Sequence, residues 1–260
     1  RLMNPKSSKI ELAQWPVNTS IEAFRAKWVL EGEPLWNSVF EMHKDKMQIK
    51  NAKVAIPNLE KILMATFRLA NSRGFQAMSL RELKRETGIS MGGLYAYIGS
   101  KNDLASVIAG VLLKYMEKII GGLSNEDLAP IDYLRGMVFG EIYTMEMLHP
   151  WYNFCFMEVK GLPREQQQNV TDTELRFESI VINIINAGVE KGQFICTNPE
   201  LLASQVAAQL QQWHLKHWKF KRREVTTEEY ARFVFDSLLL NLGVNDSFED
   251  FPSLNARQFG

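Results

Sequence analysis

Apolar residues recur at intervals of three and four along nearly the whole chain, and no segment alternates apolar and polar residues with a period of two. Short runs that contain Gly, Pro, Asn or Ser separate these helical stretches. The pattern predicts an all-α protein. The longest continuous apolar run, at 107–113, is much shorter than the roughly 20 residues that a membrane-spanning helix needs. We therefore expect no membrane partner.

The sharpest local pattern lies at 79–101, with the sequence SLRELKRETGISMGGLYAYIGSK. Leu80 and Leu83 begin an amphipathic helix, and Gly88 supplies the left-handed residue at which it ends. Ile89 is an apolar residue between two helices, and Ser90 is a good cap for the second helix. This spacing predicts a helix-turn-helix whose second helix is presented to a partner.

The composition of the second helix suits the major groove of DNA. Glycines let a backbone approach a surface closely, while hydroxyl and ammonium groups contact phosphate oxygens. Ser100 is expected to cap a third helix near Lys101, and a helix N-terminus attracts phosphate. The candidate DNA-binding residues are Ser79, Arg81, Ser90, Met91, Gly92, Gly93, Tyr95, Tyr97 and Lys101.

The distribution of charge supports this interpretation. The chain has 260 residues, of which 46% are hydrophobic and 23% charged, and its formal net charge is 0. Residues 50–105 contain nine Lys or Arg and four Asp or Glu, a local net charge of +5, so the remainder carries −5. A basic module on a mildly acidic body is typical of proteins that bind duplex DNA.

The segment 58–107 resembles the DNA-binding domain of the TetR family of bacterial transcriptional regulators. The similarity covers about fifty residues without a gap and includes the RGF, SLREL, GIS, G-x-L-Y and SK motifs. Met91 stands where the family often has lysine or proline, and Ala96 replaces a larger residue. The resemblance implies a homodimer that binds a palindromic operator, with repression favoured over activation. It also implies that a small hydrophobic effector releases the protein from this operator.

The resemblance divides the chain into four parts. Residues 1–54 are a helical extension, 55–106 the helix-turn-helix domain, 107–245 an effector-binding and dimerisation domain, and 246–260 a tail. Within the extension, Thr19 and Glu22 suggest a capping box, Gly32 with Pro34 would end that helix, and 35–47 would form a second helix.

The extension is too rich in large apolar side chains for a solvated tail, because it contains Trp15, Phe24, Trp28, Trp36 and Phe40. We expect it to dock beside the helix-turn-helix domain and fix that domain's orientation, with Lys44, Lys46, Lys50 and Lys53 near the duplex. The alternative is a disordered extension with chance aromatic residues.

After the extension, the chain suggests seven longer helices besides the helix-turn-helix pair. The first begins at Pro57 and ends at Gly74, and the others lie at 104–120, 131–148, 151–159, 164–191, 199–219 and 226–242. In TetR-like proteins the last two form a four-helix dimer interface. The residues that resemble this seam are Leu202, Val206, Leu210, Trp213, Phe233, Leu238 and Leu242. The alternative is that they form only intrachain core.

An effector site is expected between the helix-turn-helix and the dimer helices, where aromatic residues and methionines concentrate. Ligand sites are mostly apolar with a few polar groups. The candidates are Glu141, Tyr143, Met147, Trp151, Phe154, Met157, Phe177 and Asn183, with Asn153 and Asn186 as further polar groups. The alternative for each residue is a place in an ordinary hydrophobic core.

The basic run at 214–223 has two interpretations. It is either a solvated helix end or a phosphate site for an acyl-CoA effector, with fatty acids as related candidates. His214 and His217 lack neighbouring ligands in the sequence, so we expect no metal and no cofactor. Cys155 and Cys196 have no pairing motif and indicate reduced thiols.

Other classes of function have less support in the sequence. No nucleophile elbow, P-loop, HExxH or dinucleotide-binding motif occurs, so the chain is not expected to be an enzyme. The alternatives are a helical ligand- or partner-binding module that has lost DNA binding and an all-helical enzyme. Since no signal peptide is evident, we expect a cytoplasmic location.

Overall fold

The computed structural model describes residues 14–124 and 127–244, with only the backbone of residue 124. Within these ranges it contains twelve α-helices and no β-strand. The all-α prediction is confirmed. No helix in the described part of the chain is long and apolar enough to cross a membrane. The terminal segments 1–13 and 245–260 lie outside the described residues, and so does the predicted tail.

Two helices precede the helix-turn-helix domain: α1, Ile21–Trp28, and α2, Gly32–His43, which a 3₁₀ turn follows at Lys44–Lys46. Ser20 caps α1 by accepting a hydrogen bond from the Ala23 amide at 3.2 Å, so the predicted Thr19–Glu22 capping box was wrong. Gly32 begins α2 and does not end α1. The left-handed residue at the end of α1 is Val29, with φ 45°.

The head consists of α3, Ala52–Arg73, α4, Leu80–Thr87, and α5, Met91–Tyr97. Helix α3 begins five residues earlier than the sequence suggested, because Asn51 caps it and accepts a hydrogen bond from the Lys53 amide at 3.1 Å. Pro57 therefore lies inside α3, and the prediction that it starts the helix was wrong.

The body contains seven helices in the described ranges: α6, Lys101–Ser124, α7, Pro130–Met147, α8, His149–Met157, α9, Arg164–Glu190, α10, Pro199–Leu215, α11, His217–Arg222, and α12, Thr227–Asn241. Helix α7 packs against α6, α9, α10 and α12 and is the centre of the body. Two predicted ends were wrong: α6 continues through Gly121 and Gly122, and the helix expected at 199–219 breaks at Lys216. Thr226 and Glu229 form the predicted capping box of α12.

Residues 14–51, which we call the N-terminal strap, lie across both head and body. Helix α2 packs on α3, and α1 packs on α7. The Tyr143 hydroxyl of α7 donates a hydrogen bond to the Thr19 carbonyl at 2.7 Å, and Trp15 and Phe24 cover the same ring. The described part of the predicted extension is thus docked on the body as well as beside the head, where the sequence analysis placed it.

Candidate nucleic-acid interface

The turn between α4 and α5 has the local chemistry that the sequence predicted. Ser79 and Glu82 form a capping box at the start of α4, and Gly88 ends this helix with φ 68°. The Ile89 amide then donates to the Thr87 hydroxyl at 3.2 Å. Ser90 caps α5 by accepting a hydrogen bond from the Gly93 amide at 3.0 Å. These bonds hold α5 at a fixed angle on the surface of the head.

The two glycines of α5 serve different purposes. A Cβ on Gly93 would lie 2.8 Å from the Ile89 side chain, so Gly93 is required for packing within the turn. A Cβ on Gly92 would meet nothing within 4 Å. Gly92 therefore lies on the outward face of α5, where a partner can approach the backbone closely.

Most of the candidate DNA-binding residues are exposed in the helix-turn-helix. Ser79, Arg81, Ser90 and Gly92 are exposed, and Tyr95 is 47% exposed. Met91 is half-buried against the core.

Tyr97 lies elsewhere. It is only 7% exposed, and its hydroxyl accepts a hydrogen bond from Asn58 Nδ2 at 2.9 Å. Because this hydroxyl is committed to α3, Tyr97 anchors α5 to the head and is not among the phosphate contacts proposed below.

Lys101 is partly engaged by the protein itself. Its ammonium group donates to the Gln76 carbonyl at 2.7 Å and lies 4.9 Å from the centre of the Phe75 ring. Desolvation lowers the pKa of Lys101, although the nearby Glu158 carboxylate opposes this effect. Ser100 caps α6 as expected and accepts a hydrogen bond from the Asp103 amide at 3.1 Å. Lys101 thus holds the start of α6 against the head in addition to any role toward DNA.

The strap contacts the helix-turn-helix directly, beside which the sequence analysis placed it. The Gln48 amide donates a hydrogen bond to the Ala96 carbonyl of α5 at 2.8 Å. Lys50 bonds to the carbonyls of Lys44 and Asp45, the latter at 3.2 Å, and so stabilises the 3₁₀ turn. The α5 helix is therefore fixed from both sides, by α3 and by the strap.

The predicted effector residues do not converge on one chamber. Tyr143 faces the strap, and Trp151 contacts Trp36 of the strap and Phe67 of the head. Met157 is 62% exposed, and Asn183 and Asn186 are exposed on α9. The remaining apolar candidates are buried among other core residues: Met147, Phe154 and Phe177. For most of the set, the alternative of ordinary core packing fits the structure better.

Glu141 is the polar candidate with an unusual environment. Its carboxylate accepts a hydrogen bond from the Tyr152 hydroxyl at 2.9 Å. Burial of the carboxyl group raises its pKa to about 7, which the bond from Tyr152 opposes. Glu141 and Tyr152 thus form a polar pair inside the body, between α7 and α8.

A cleft of about 240 Å³ opens where the head meets the body, and we call it the head–body cleft. Its walls come from α3 and from α8. Two residues singled out in the sequence, Asn153 and Phe154, line this cleft, but no sequence pattern indicated its α3 side. That side could be found only from the packing of the two helices.

The predicted dimer residues are mostly internal. Leu202, Val206, Leu210, Trp213, Leu238 and Leu242 are at most 9% exposed, and Trp213 stacks on Tyr230 and donates to the Glu146 carboxylate at 2.9 Å. These six residues are intrachain core, the alternative left open by the sequence. Phe233 is the one member of the predicted set that faces outward, with 67% of its surface exposed. Leu201 of α10, at 69%, and Leu240 of α12, at 50%, are further large apolar residues that are exposed.

Three histidines meet between α8 and the α10–α11 break. The rings of His149 and His217 are 4.9 Å apart, and His217 Nδ1 lies 3.8 Å from a Glu146 oxygen. His214 is 2% exposed, and neither of its ring nitrogens has a hydrogen-bond partner among the described residues. Burial lowers the pKa of His214 to about 4. No group of acidic, cysteine or histidine side chains in the described ranges is arranged to hold a metal ion.

The basic run at 214–223 is divided by its packing. His214 and Phe220 are buried, whereas Trp218 is 64% exposed and the cations of the last turn of α11 face solvent. Lys219 lies 4.7 Å from the centre of the Phe220 ring and bonds to Gln212 at 3.3 Å. The second half of the run is thus the short helix α11, which packs on the core through Phe220.

Comparison with known proteins finds similarity to one family. Residues 62–108 match the family model described as "Bacterial regulatory proteins, tetR family". The HTH-type transcriptional regulator HbdR of Aromatoleum sp. (strain CIB) is 25% identical over 199 residues, which is 75% of this chain and 83% of HbdR.

Solved structures have the same fold. The TetR-family regulator PfmR from Thermus thermophilus superposes with a TM-score of 0.60 and 25% identity, covering 70% of this chain and 98% of PfmR. The regulator FadR from Bacillus subtilis, solved in complex with stearoyl-CoA, gives a TM-score of 0.53 and 13% identity over 70% of this chain and 98% of FadR. Each of these structures is almost wholly covered, and in each comparison 30% of this chain has no counterpart.

Proposed function

We infer that the chain belongs to the TetR family of transcriptional regulators and is not an enzyme. On this premise, we propose that it is a cytoplasmic, effector-responsive repressor. It acts as a homodimer on a palindromic DNA operator. The observation that carries this proposal is the exposed surface of α5 with its rigid capped turn. A helix of this kind enters the major groove, and its neighbouring hydroxyl and cationic groups position it on the phosphates.

The proposed DNA contacts are the exposed residues of this surface. Arg81 supplies a cation, Ser90 and Tyr95 supply hydroxyl groups, and Gly92 permits close approach of the backbone. Met91, at the first position of α5, would contact base edges, and Gly93 supports the turn beneath them. Lys101 and the capping residue Ser79 complete the phosphate contacts at the edges of the surface.

The proposed dimer interface is the outward face of α10 and α12. Leu201, Phe233 and Leu240 are large apolar residues exposed in the single chain, and such groups favour burial against a second copy. This assignment replaces the buried residues that the sequence favoured, except for Phe233.

The proposed effector is a small hydrophobic molecule. The complex of FadR with stearoyl-CoA supports acyl-CoA esters and fatty acids as classes to screen, and the cations of α11 would suit the phosphates of such an ester. An effector releases the operator only if it binds two head orientations unequally.

Selection of bound sequences from a random duplex pool tests the function. We expect an inverted repeat with half-site centres about 34 Å apart, because two α5 helices of a dimer must reach successive major grooves. Recovery of no common sequence would favour the alternative of a helical module without operator binding.

A further inference from the structure

The head–body cleft has apolar walls of a size that suits a small ring. Phe67 of α3 and Phe154 of α8 form one wall of the cleft by packing edge to face with ring centres 6.1 Å apart, and Met64 and Pro150 also line the space. Its volume of about 240 Å³ exceeds the roughly 150 Å³ of an apolar cavity that accepts benzene. There is room for an aromatic ring and a short polar substituent.

The two ends of the cleft differ in charge. Helices α3 and α8 run in the same direction, because Phe67 contacts Trp151 and the Phe75 amide donates to the Glu158 carboxylate at 2.9 Å. Arg68, next to Phe67, therefore lies toward one end, and Glu158, bonded to Phe75, lies toward the other. One end is cationic and the other is acidic.

Arg68 is the charged group best placed to receive a ligand. Its guanidinium lies 3.9 Å from Glu86 and its side chain is 60% exposed, so this ion pair is weak. Glu158, in contrast, is already bonded to the Phe75 amide of the head. His149 lines the same end as Arg68, and burial lowers its pKa, so it adds no charge at neutral pH.

We propose that the head–body cleft binds a small carboxylate with an aromatic body, held by Arg68 at its charged end and by Phe67 and Phe154 along its ring. A guanidinium pairs with a carboxylate through two parallel hydrogen bonds, and the aromatic walls exclude water from the ring. The inference rests on the proposed function in one respect: it adds aromatic carboxylates as a further class of effector and names this cleft as the place where that class acts.

The position of the cleft links occupancy to the head. Direct bonds across the same seam join Asn153 to Asn71 at 3.4 Å, Phe75 to Glu158, and Gln76 to the Gly161 carbonyl. A ligand wedged between α3 and α8 contacts both sides of this seam. It therefore favours the head orientation whose cleft fits it over other orientations, and this is the unequal binding that release of an operator requires.

Calorimetric titration of the full chain with 3-phenylpropionate, in the absence of DNA, tests the site. The neutral control ligand is 3-phenylpropionamide, and the variant is Arg68→Gln. The control variant is Lys61→Gln, which removes a charge from an exposed position of the same helix outside the cleft. We expect the carboxylate to bind the wild type and the control variant equally, and both the amide and Arg68→Gln to weaken binding about tenfold.

Equal affinities for the acid and the amide, unchanged affinity in Arg68→Gln, or no heat of binding with the wild type would each overturn the proposal. Operator binding by the same variants without ligand is measured separately. If the wild type did not bind an operator, the regulator function would be contradicted, but the calorimetric result on the cleft would still stand.

Discussion

The strap is expected to control the stability and orientation of the head, and one glycine in α6 allows this to be tested without altering the strap. Trp28 is 7% exposed and packs directly on Gly122. A Cβ at Gly122 would lie 2.3 Å from Trp28 Cη2, whereas a Cβ at the adjacent Gly121 would meet nothing within 4 Å. The two Gly→Ala variants therefore differ in one contact.

The magnitudes follow from this contact. Replacing glycine by alanine within a helix stabilises it by about 0.5–1 kcal/mol, which is the full effect expected for Gly121→Ala. In Gly122→Ala the same gain is opposed by overpacking or by loss of Trp28 burial, at about 1–3 kcal/mol each. Since 1 kcal/mol moves the Tm of a chain of this size by about 2–4 °C, Gly121→Ala should melt slightly higher than wild type and Gly122→Ala several degrees lower.

Differential scanning calorimetry and operator titration of both variants check the reasoning. Loosening the strap should weaken operator binding by Gly122→Ala at least about fivefold, the lower limit of ordinary coupling energies. Equal Tm values for the two variants would refute the claim that Trp28 is held against α6. A lower Tm with unchanged operator affinity would show that the strap stabilises the protein but does not orient the head for DNA binding.

Three further predictions concern the turn, the dimer and pH. Gly93→Ala should lower both Tm and operator affinity because its Cβ meets Ile89, whereas Gly92→Ala should melt slightly higher than wild type, as Gly121→Ala does, and lose affinity; circular dichroism melting and DNA titration separate the two. Phe233→Glu should shift the dimer toward monomer in sedimentation velocity without unfolding it, since this side chain is exposed in the single chain. The pKa of His214 is about 4 in the folded protein and near 6.5 in the unfolded chain. Because the unfolded chain binds the proton more tightly, His214 lowers the free energy of unfolding as pH falls from about 6.5 to 4. Urea unfolding at pH 7.5 and pH 5.0 should show His214→Phe gaining about 2 kcal/mol relative to wild type at the lower pH, and a constant difference would contradict this assignment.

Features that depend on neighbouring residues could be predicted from the sequence. The left-handed Gly88 and the Ser90 cap are set by interactions within a few residues. Their pattern was sufficient to locate the helix-turn-helix. Similarly, the aromatic content of the strap indicated burial before any partner was known.

Features that depend on which face of a helix turns inward were not predictable. Periodicity identifies the most apolar stripe, and the single chain buries that stripe first, as Val206 and Trp213 show. The proposed interface uses the next stripe, which includes Leu201 and Phe233. Tyr97 and Lys101 carry groups that suit phosphate, yet their hydrogen bonds to Asn58 and Gln76 follow from tertiary packing.

The central claim is that α5 presents a surface that binds duplex DNA through its phosphates and reads an operator. Fluorescence anisotropy of the selected duplex, titrated with wild type and with Arg81→Gln at several salt concentrations, tests it most directly. We expect two chains per duplex and a linear fall of log K with log salt, with a slope shallower by about 1.8 in Arg81→Gln, about 0.9 for the phosphate contact that each chain loses. Affinity that is independent of salt, or a slope that the substitution leaves unchanged, would contradict the claim.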